Sequence, residues 1–325
     1  MMPQLSIAFQ TDKPLNAYGP LAAQAEAYGF DGVTVYNDML YQPAWLPLLE
    51  MVRQTERIRL GVAAVNPFTC HPINIAGNAA LLAEAAPGRF YLGVARGAWL
   101  DFVGLEPAGG ITAVSDAIAC VRHLLRRDKR PFVSPHFPLA GGDTLRWPIP
   151  QPDIPILLGT WGPKLLRACL GHINELKLGG TANPEVVGWF KRLLAQQGRE
   201  DVGIVVGAVT VVDEDGAAAK ALARREVALY LPVVAELDPT LTIDPELLAG
   251  LREATAVYDF DRAATFVSDD LLARFAFAGT PNDLIAQAKA LFAAGASRVE
   301  FGTPHGLTTQ TGLALLGTRV LSVFR

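Results

Sequence analysis

The residues of this chain that could do chemistry stand in short clusters of amide, glycine, alanine and aromatic groups: Phe9-Gln10, Tyr36-Asn37-Asp38, Ala63-Ala64-Val65-Asn66-Pro67, Ala95-Arg96-Gly97, Gly159-Thr160-Trp161-Gly162, Gly179-Gly180-Thr181 and Gly302-Thr303-Pro304-His305-Gly306. The paired carboxylates and histidine clusters that hydrolysis or a metal would use are scarce among them. Such a set suits a bound planar cofactor. Hydride transfer asks the protein mainly to hold two carbon centres face to face, because the cofactor supplies the reactivity. Around Gly159-Thr160-Trp161-Gly162-Pro163 a strand runs through glycines into a helix with proline in its first turn, and amides there, with Lys164 and Arg167 nearby, would seat a phosphate. Gly179-Gly180-Thr181 is a second seat of the same kind. No two glycines stand two residues apart, so a GxGxxG fingerprint is absent, as are a GK[ST] loop, HExxH and GxSxG. A Rossmann enzyme using NAD is therefore disfavoured.

The elements that must position these clusters alternate between short β-branched runs and longer helical stretches, the order a parallel sheet with crossover helices requires. Strands are expected at Leu5–Gln10, Gly32–Tyr36, Ile58–Ala64, Phe90–Val94, Pro155–Gly159, Glu175–Gly179, Gly203–Val212 and Arg298–Gly302. Helices are expected at Tyr18–Tyr28, Ala44–Thr55, Ile73–Ala86, Thr112–Arg127, Pro163–Leu170, Pro184–Gln197 and Glu214–Leu231, then from Thr280 through Ala294, with Gly295 as its stop, and at Leu307–Val323. Two stretches break the rhythm: 128–153, dense in proline and glycine, and 232–275, helical in parts and poor in strand. They read as insertions after strands four and seven, the second making a lid. The pattern predicts one α/β domain over 1–325, a (β/α)8 TIM barrel, with a doubly wound open sheet as the architectural rival. In a barrel the clusters named above all fall at the carboxyl ends of the strands, where active sites of that fold lie.

The segment Asn66-Pro67-Phe68-Thr69-Cys70-His71-Pro72 directly follows a strand of small residues. It resembles the Asn-Pro-(Phe/Tyr)-Thr-x-His-Pro stretch of the luciferase-like superfamily, in particular its deazaflavin-dependent branch typified by methylenetetrahydromethanopterin reductase. Asp12-Lys13-Pro14, Ala27-Tyr28-Gly29-Phe30-Asp31, the stretch from Gly159 to Asn183, Phe277-Ala278-Gly279-Thr280-Pro281 and Gly302-Thr303-Pro304-His305-Gly306 resemble other parts of that branch in the same order. The resemblance implies a hydride transfer using coenzyme F420, with FMN in a two-component monooxygenase, or a noncatalytic cofactor-binding homologue, as alternatives. It also implies a non-proline cis peptide, most readily Ala63-Ala64, backing the ring. Asp38, Val65, Asn66, Ala95, Arg96 and Gly97 would line the ring pocket, and Gly159, Thr160, Trp161, Gly162, Gly179, Gly180 and Thr181 would hold the tail phosphate. Asp38 stands where many members have histidine, and Asn37 replaces the aspartate before it. The methanopterin reductases carry a glutamate near the end of strand one, where this chain reads Ile7-Ala8-Phe9-Gln10. The coenzyme can thus be shared without the pterin substrate. Asp38 and Gln10 are the candidate catalytic residues.

Half of the residues are hydrophobic and 18% are charged, a composition that packs a large core. The net charge of −4 argues against nonspecific nucleic-acid binding, and the basic run Arg122 to Arg130 reads as a solvated helix end. No apolar run is long enough for a membrane span, and Cys70, Cys120 and Cys169 form no CxxC, which suits a cytoplasmic protein without disulfides or metal. His305 is a candidate for the pocket wall, and His71 is either that or a helix-start histidine satisfied by backbone. Lys177, in strand six, would allow a Schiff-base aldolase if it pointed inward. Trp45, Trp99 and Trp161 could clamp a flat ligand, although packing is their default role. The alanine-rich helix Ile73–Ala86 favours a close-packed partner, hence a homodimer acting on a small-molecule substrate.

Overall fold

The computed structural model describes residues 3–325. Nine strands form one sheet: β1 (Gln4–Phe9), β2 (Gly32–Val35), β3 (Arg59–Val65), β4 (Phe90–Ala95), β5 (Ile156–Gly159), β6 (Glu175–Gly179), β7 (Gly203–Val212), β8 (Ala276–Gly279) and β9 (Arg298–Gly306). Most are near-continuous buried runs such as Leu5-Ser6-Ile7-Ala8-Phe9, the mark of strands covered on both faces. Hydrogen bonding follows the order β6-β5-β4-β3-β2-β1-β9-β7-β8, and β6 also pairs with β7. With helices connecting parallel strands, that cyclic order is a (β/α)8 barrel, as expected from sequence.

The eighth expected strand, Arg298–Gly302, is β9 and continues to Gly306 through a cis Thr303-Pro304 bond. The additional strand β8 was not expected. It pairs in parallel with the last four residues of β7, Val209–Val212, and its sequence Ala-Phe-Ala-Gly is too short and too small in its side chains to show a period. The final helix is also shorter than expected: α-helical geometry holds over Thr309–Leu315 and then loosens into one π-turn and a 3-10 turn.

Contacts group the chain into two compact units. One comprises Phe9–Ala27 and Asp31–Leu176 and holds β2 to β5 with helices α1 (Tyr18–Tyr28), α2 (Trp45–Arg53), α3 (Pro72–Ala85), α4 (Gly110–Leu125) and α5 (Pro163–Cys169). Its core is shaped by Gly61, where an added Cβ would collide with the ring of buried Tyr91. The Tyr91 hydroxyl meets that of Thr34, and the Arg59 guanidinium lies 5.3 Å from the ring centroid. The proline-rich insertion has one isolated bridge, Phe132 to Leu139, and is tied to α4 by Ser134 and His136, both 2.8 Å from Asp116 Oδ2. Arg122 departs from the solvated helix end expected of it. Its guanidinium is half-buried and donates to the carbonyls of Ile154 at 2.8 Å and His172 at 2.9 Å, closing the insertion onto β5.

Helix α1 is fixed to the turn before β3 by Glu26, whose Oε2 accepts from the amides of Glu56, Arg57 and Ile58 at 3.1, 2.7 and 2.8 Å. Burial pushes this carboxyl up, but the three amides outweigh it and hold it below the ordinary carboxylate range. Its contribution is therefore present above the unfolded-state pKa and is lost as pH falls through the lower folded value. Glu26→Gln is expected to cost about 1–3 kcal/mol at neutral pH, from hydrogen bonds made to a charge, and less in acid. Urea unfolding at several pH values measures both.

The other unit comprises the chain up to Ala8, Tyr28–Phe30 and Lys177–Arg325. It contains β7 to β9, α6 (Pro184–Gln196), α7 (Gly216–Val227), α8 (Leu231–Leu237), α9 (Pro245–Ala256), α10 (Phe260–Thr265), α11 (Asp269–Phe275), α12 (Pro281–Ala294) and α13 (Thr309–Leu315). Helix α12 starts at a capping box of Thr280 and Asp283 and stops at Gly295, which takes a φ of 110°. Helices α8 to α11 are the second insertion. It packs on the turn after β6: Asp238 is buried and accepts from Asn183 Nδ2 at 2.9 Å, and an added Cβ at Gly180 would lie 2.9 Å from Val234 Cγ2. Among the described residues no helix is long and apolar enough to cross a membrane.

Candidate active site

In the first unit the carboxyl end of β3 is irregular. Gly61 and Val62 stand opposite Tyr91 and Leu92 of β4, but the next registered pair is Val65 with Val94. Ala63 and Ala64 are thus both opposite Gly93, which makes a bulge. The bond between them is cis, at the position the resemblance implied. Gly93 is what lets β4 follow the bulge: a Cβ there would collide with the Val62 carbonyl oxygen and lie 3.1 Å from Ala63 Cα. Sequence reading did not single out Gly93, although a glycine inside a strand is itself a sign of close backbone approach.

After the bulge, Asn66 is 6% exposed and organises the turn that follows. Its Oδ1 accepts from the Phe68 amide at 3.0 Å, the Thr69 amide at 2.9 Å and the Thr69 hydroxyl at 3.1 Å. The Asn-Pro-Phe-Thr segment is therefore an asparagine-nucleated turn. It ends at His71, whose Nδ1 accepts from the Ile73 amide at 3.2 Å as the N-cap of α3. His71 thus takes the helix-start role, one of the two readings its sequence position allows. Across from Asn66, at the end of β4, Gly97 has a φ of 88°, and a Cβ there would lie 3.1 Å from Asn66 Cγ. Ala95 is half-buried, while Arg96 and Gly97 are exposed. Gly159 abuts Ala95, an added Cβ falling 3.3 Å from the alanine Cβ. The loop from Thr160 to Gly162 is half-buried and is held by the Gly162 amide donating to Thr160 Oγ1 at 3.0 Å. Trp161 is half-buried in this loop, Trp45 opens α2, and Trp99 is 44% exposed after β4.

Gln10 and Asp38 meet at the ends of β1 and β2. Gln10 Nε2 donates to Asp38 Oδ2 at 2.8 Å, while Gln10 Oε1 accepts from the Thr11 amide at 2.8 Å. Because a backbone amide can only donate, the Thr11 contact fixes which end of the Gln10 side chain faces Asp38. Lys13 Nζ donates to the Gln10 carbonyl at 3.2 Å and pairs with Asp12. The neighbouring Asn37 is used otherwise, its Oδ1 accepting from the Ala44 amide at 3.1 Å ahead of α2. Thr11 and Lys13 thus both contact Gln10; Lys13 lies in the Asp12-Lys13-Pro14 segment of the resemblance, whereas Thr11 was not singled out from sequence.

The second unit treats its glycine turn differently from the expectation of a phosphate seat. The Gly180 and Thr181 amides both donate to the Gly207 carbonyl, at 2.7 and 3.2 Å, and the Thr181 hydroxyl donates to the Arg274 carbonyl at 3.1 Å. With Thr181 fully buried, these donors are spent inside the protein and offer an anion nothing. Gly179 precedes them at the end of β6 and is half-buried. His305 is fully buried with Nε2 2.9 Å from the Ala8 carbonyl, a packing role. Lys177 does point inward, as the aldolase reading requires, but its ammonium pairs with fully buried Glu300. Among the described residues no three His, Cys, Asp or Glu side chains gather as metal ligands.

A family model described as luciferase-like monooxygenase matches residues 3–298. The 5,10-methylenetetrahydromethanopterin reductase of Methanolobus tindarius is 26% identical over 327 residues, covering 97% of this chain and 98% of its own. Among solved structures, the coenzyme F420-dependent tetrahydromethanopterin reductase of Methanopyrus kandleri superposes with a TM-score of 0.90 at 23% identity, covering 100% of both chains. An F420-dependent secondary alcohol dehydrogenase in complex with an F420-acetone adduct superposes with a TM-score of 0.78 at 18% identity, covering 99% of each. At these identities the structural likeness is one of fold.

Proposed function

The chain belongs to the luciferase-like monooxygenase family, and on that premise we propose that it is an oxidoreductase moving hydride between coenzyme F420 and a small organic substrate. The observation that carries this reading is the bulge of β3, where small Ala63 and Ala64 face a β4 backbone kept bare by Gly93. A flat ring can lie against such a surface because no side chain rises from it. When bound, the deazaflavin supplies a carbon that accepts or releases hydride. In this reading Ala63, Ala64 and Val65 back the ring, Asn66, Ala95, Arg96 and Gly97 border it, and the loop Gly159–Gly162 lies toward the tail phosphate. Asp38 handles the proton that accompanies hydride at the substrate. Clustered binding groups of this kind orient the reactants, which is the protein's main contribution to such a reaction.

Titrating the purified protein into micromolar F420 and following fluorescence quenching tests the reading, with FMN titrated in parallel. F420 is expected to bind and FMN to bind more weakly; no quenching of F420 defeats the proposal. Gly93→Ala is expected to weaken F420 binding by tenfold or more, about 1.4 kcal/mol, because the new Cβ meets a carbonyl that cannot rotate away as a side chain would. The circular dichroism spectrum and urea midpoint of the variant separate a lost site from a lost fold.

A further inference from the structure

The chain between β4 and α4 is seated at its ends and exposed along its middle. Across 96–109 every residue is exposed except Leu100, which is buried, and Leu105 and Pro107, which are half-buried. The middle is a 3-10 turn, Leu100–Val103, whose backbone bonds close locally: the Phe102 amide donates to the Trp99 carbonyl at 3.2 Å, Gly104 to Asp101 at 2.9 Å and Leu105 to Leu100 at 2.9 Å. Three large apolar side chains stand in water on this turn, Trp99 44%, Phe102 73% and Val103 43% exposed. Clustered apolar exposure of that kind marks a surface that receives a contact. Trp99 also takes a φ of 53°, a left-handed conformation that bulky residues rarely adopt outside functional segments. The ends differ. Gly97, with a φ of 88°, abuts Asn66, whose side chain is committed to the turn after β3. Gly109, with a φ of 74°, abuts His136 so closely that a Cβ would collide with the imidazole, and His136 is fastened to Asp116 through Nδ1 at 2.8 Å. Two seated glycines thus bound a span folded mainly on itself, the layout of a hinged lid.

We propose that 98–108 is a lid that pivots at Gly97 and Gly109 and closes over the occupied coenzyme site, carrying Trp99 and Phe102 out of water and onto the bound coenzyme. The inference rests on the F420 reading for its ligand. Strand β4 pairs with β3, so the span begins at the border of the bulged surface assigned to the ring. A ligand shifts a balance between two forms only through contacts that it makes in one of them, and these aromatic faces supply such contacts in the closed form. The apolar area they withdraw from water favours closure once a flat ring is there to receive it. Ser134 and His136, at the tip of the proline-rich insertion, both bond Asp116 Oδ2 on α4 and keep the Gly109 pivot in place while the span moves. Closure serves the chemistry by shutting water out of the hydride path.

Chymotrypsin, which cuts exposed chain after large apolar residues, reads the lid directly, with mass spectrometry locating each cut. The protein alone is expected to be nicked after Trp99 or Phe102, and saturating F420 to slow that cut about tenfold or more, because cleavage follows the population of the open form. Tyr258, 78% exposed in the other unit, is the control site, and its cut is expected to keep its rate. Turn and control slowed alike would mean general stabilisation and overturn the lid, as would a turn left uncut in the protein alone or a cut that F420 leaves unchanged. Protection that appears without F420 as the protein is concentrated would give the apolar turn to a second copy and overturn the lid as well. Phe102→Ser supplies an independent readout. Its side chain is 73% exposed, so the urea midpoint is expected to hold, while F420 release in stopped flow is expected to speed up about tenfold with the association rate little changed. Release at the wild-type rate overturns the role of Phe102 in closure. Wild-type protein that binds no F420 defeats the coenzyme reading and the lid together, whereas F420 bound beside an unprotected turn overturns the lid alone.

Discussion

Asp38→Asn is expected to lower kcat by about 10²–10⁴-fold while leaving the F420 dissociation constant within a few-fold of wild type, the range a positioned proton-transfer group contributes. The asparagine is nearly isosteric and can still accept from Gln10 Nε2 through its own oxygen, so the hydrogen bond at 2.8 Å need not be lost. What it cannot do is take a proton. Removing an interaction made only in the transition state reduces kcat and kcat/KM together, while on the proposed reading coenzyme affinity reports the surface at Ala63 and Ala64. Stopped-flow reduction of enzyme-bound F420 by an active substrate, beside a fluorescence titration of the coenzyme, measures the two separately. A variant that turns over within a few-fold of wild type would remove Asp38 from the chemistry, and a variant that fails only to bind F420 would reassign it to the coenzyme site.

How far the sequence reached can be seen residue by residue. The buried strands were legible because a parallel strand covered on both faces must be a continuous apolar run, and helices with proline in the first turn or glycine at the stop announce their ends. Strand β8 was not legible, since four residues of alanine, phenylalanine and glycine carry no period. The bulged end of β3 could be placed from the motif beginning at Asn66, and the turn chemistry of Asn66 and the cap at His71 explain why those residue types stand there. The pairing of Gln10 with Asp38 joins residues 28 apart, and only the adjacency of two strand ends creates it. The glycine turn at 179–181 shows the converse. Its pattern is that of an anion seat, but whether an amide is available depends on what lies beside it, and the Gly207 carbonyl of β7 takes two of them. Arg122 was misread for the same reason: a charge at a helix end is solvated unless another segment, here the chain at Ile154, brings carbonyls to it.

Lys177→Met is expected to destabilise the protein by about 3–5 kcal/mol, the cost of leaving one member of a buried ion pair uncompensated. Glu300 is fully buried and Lys177 is 8% exposed, so water cannot replace the lost ammonium. The carboxylate also meets Ser6 Oγ, 3.5 Å from Oε2, a contact too long for a strong bond. Gly207 leaves room for the pair, as a Cβ there would lie 3.2 Å from Glu300 Oε1 and 3.4 Å from Lys177 Cε. Replacing both partners by apolar residues should then recover most of the loss, since a buried pair contributes little net stability once its own desolvation is counted. Urea unfolding of Lys177→Met, Glu300→Leu and the double variant forms the cycle that measures this coupling. A double variant no more stable than the weaker single would mean that packing around the lysine stem, not the orphaned charge, sets the cost. The same pairing bears on chemistry: an ammonium held by a carboxylate inside the barrel is a poor amine nucleophile, so borohydride trapping with small aldehydes is expected to leave Lys177 unmodified.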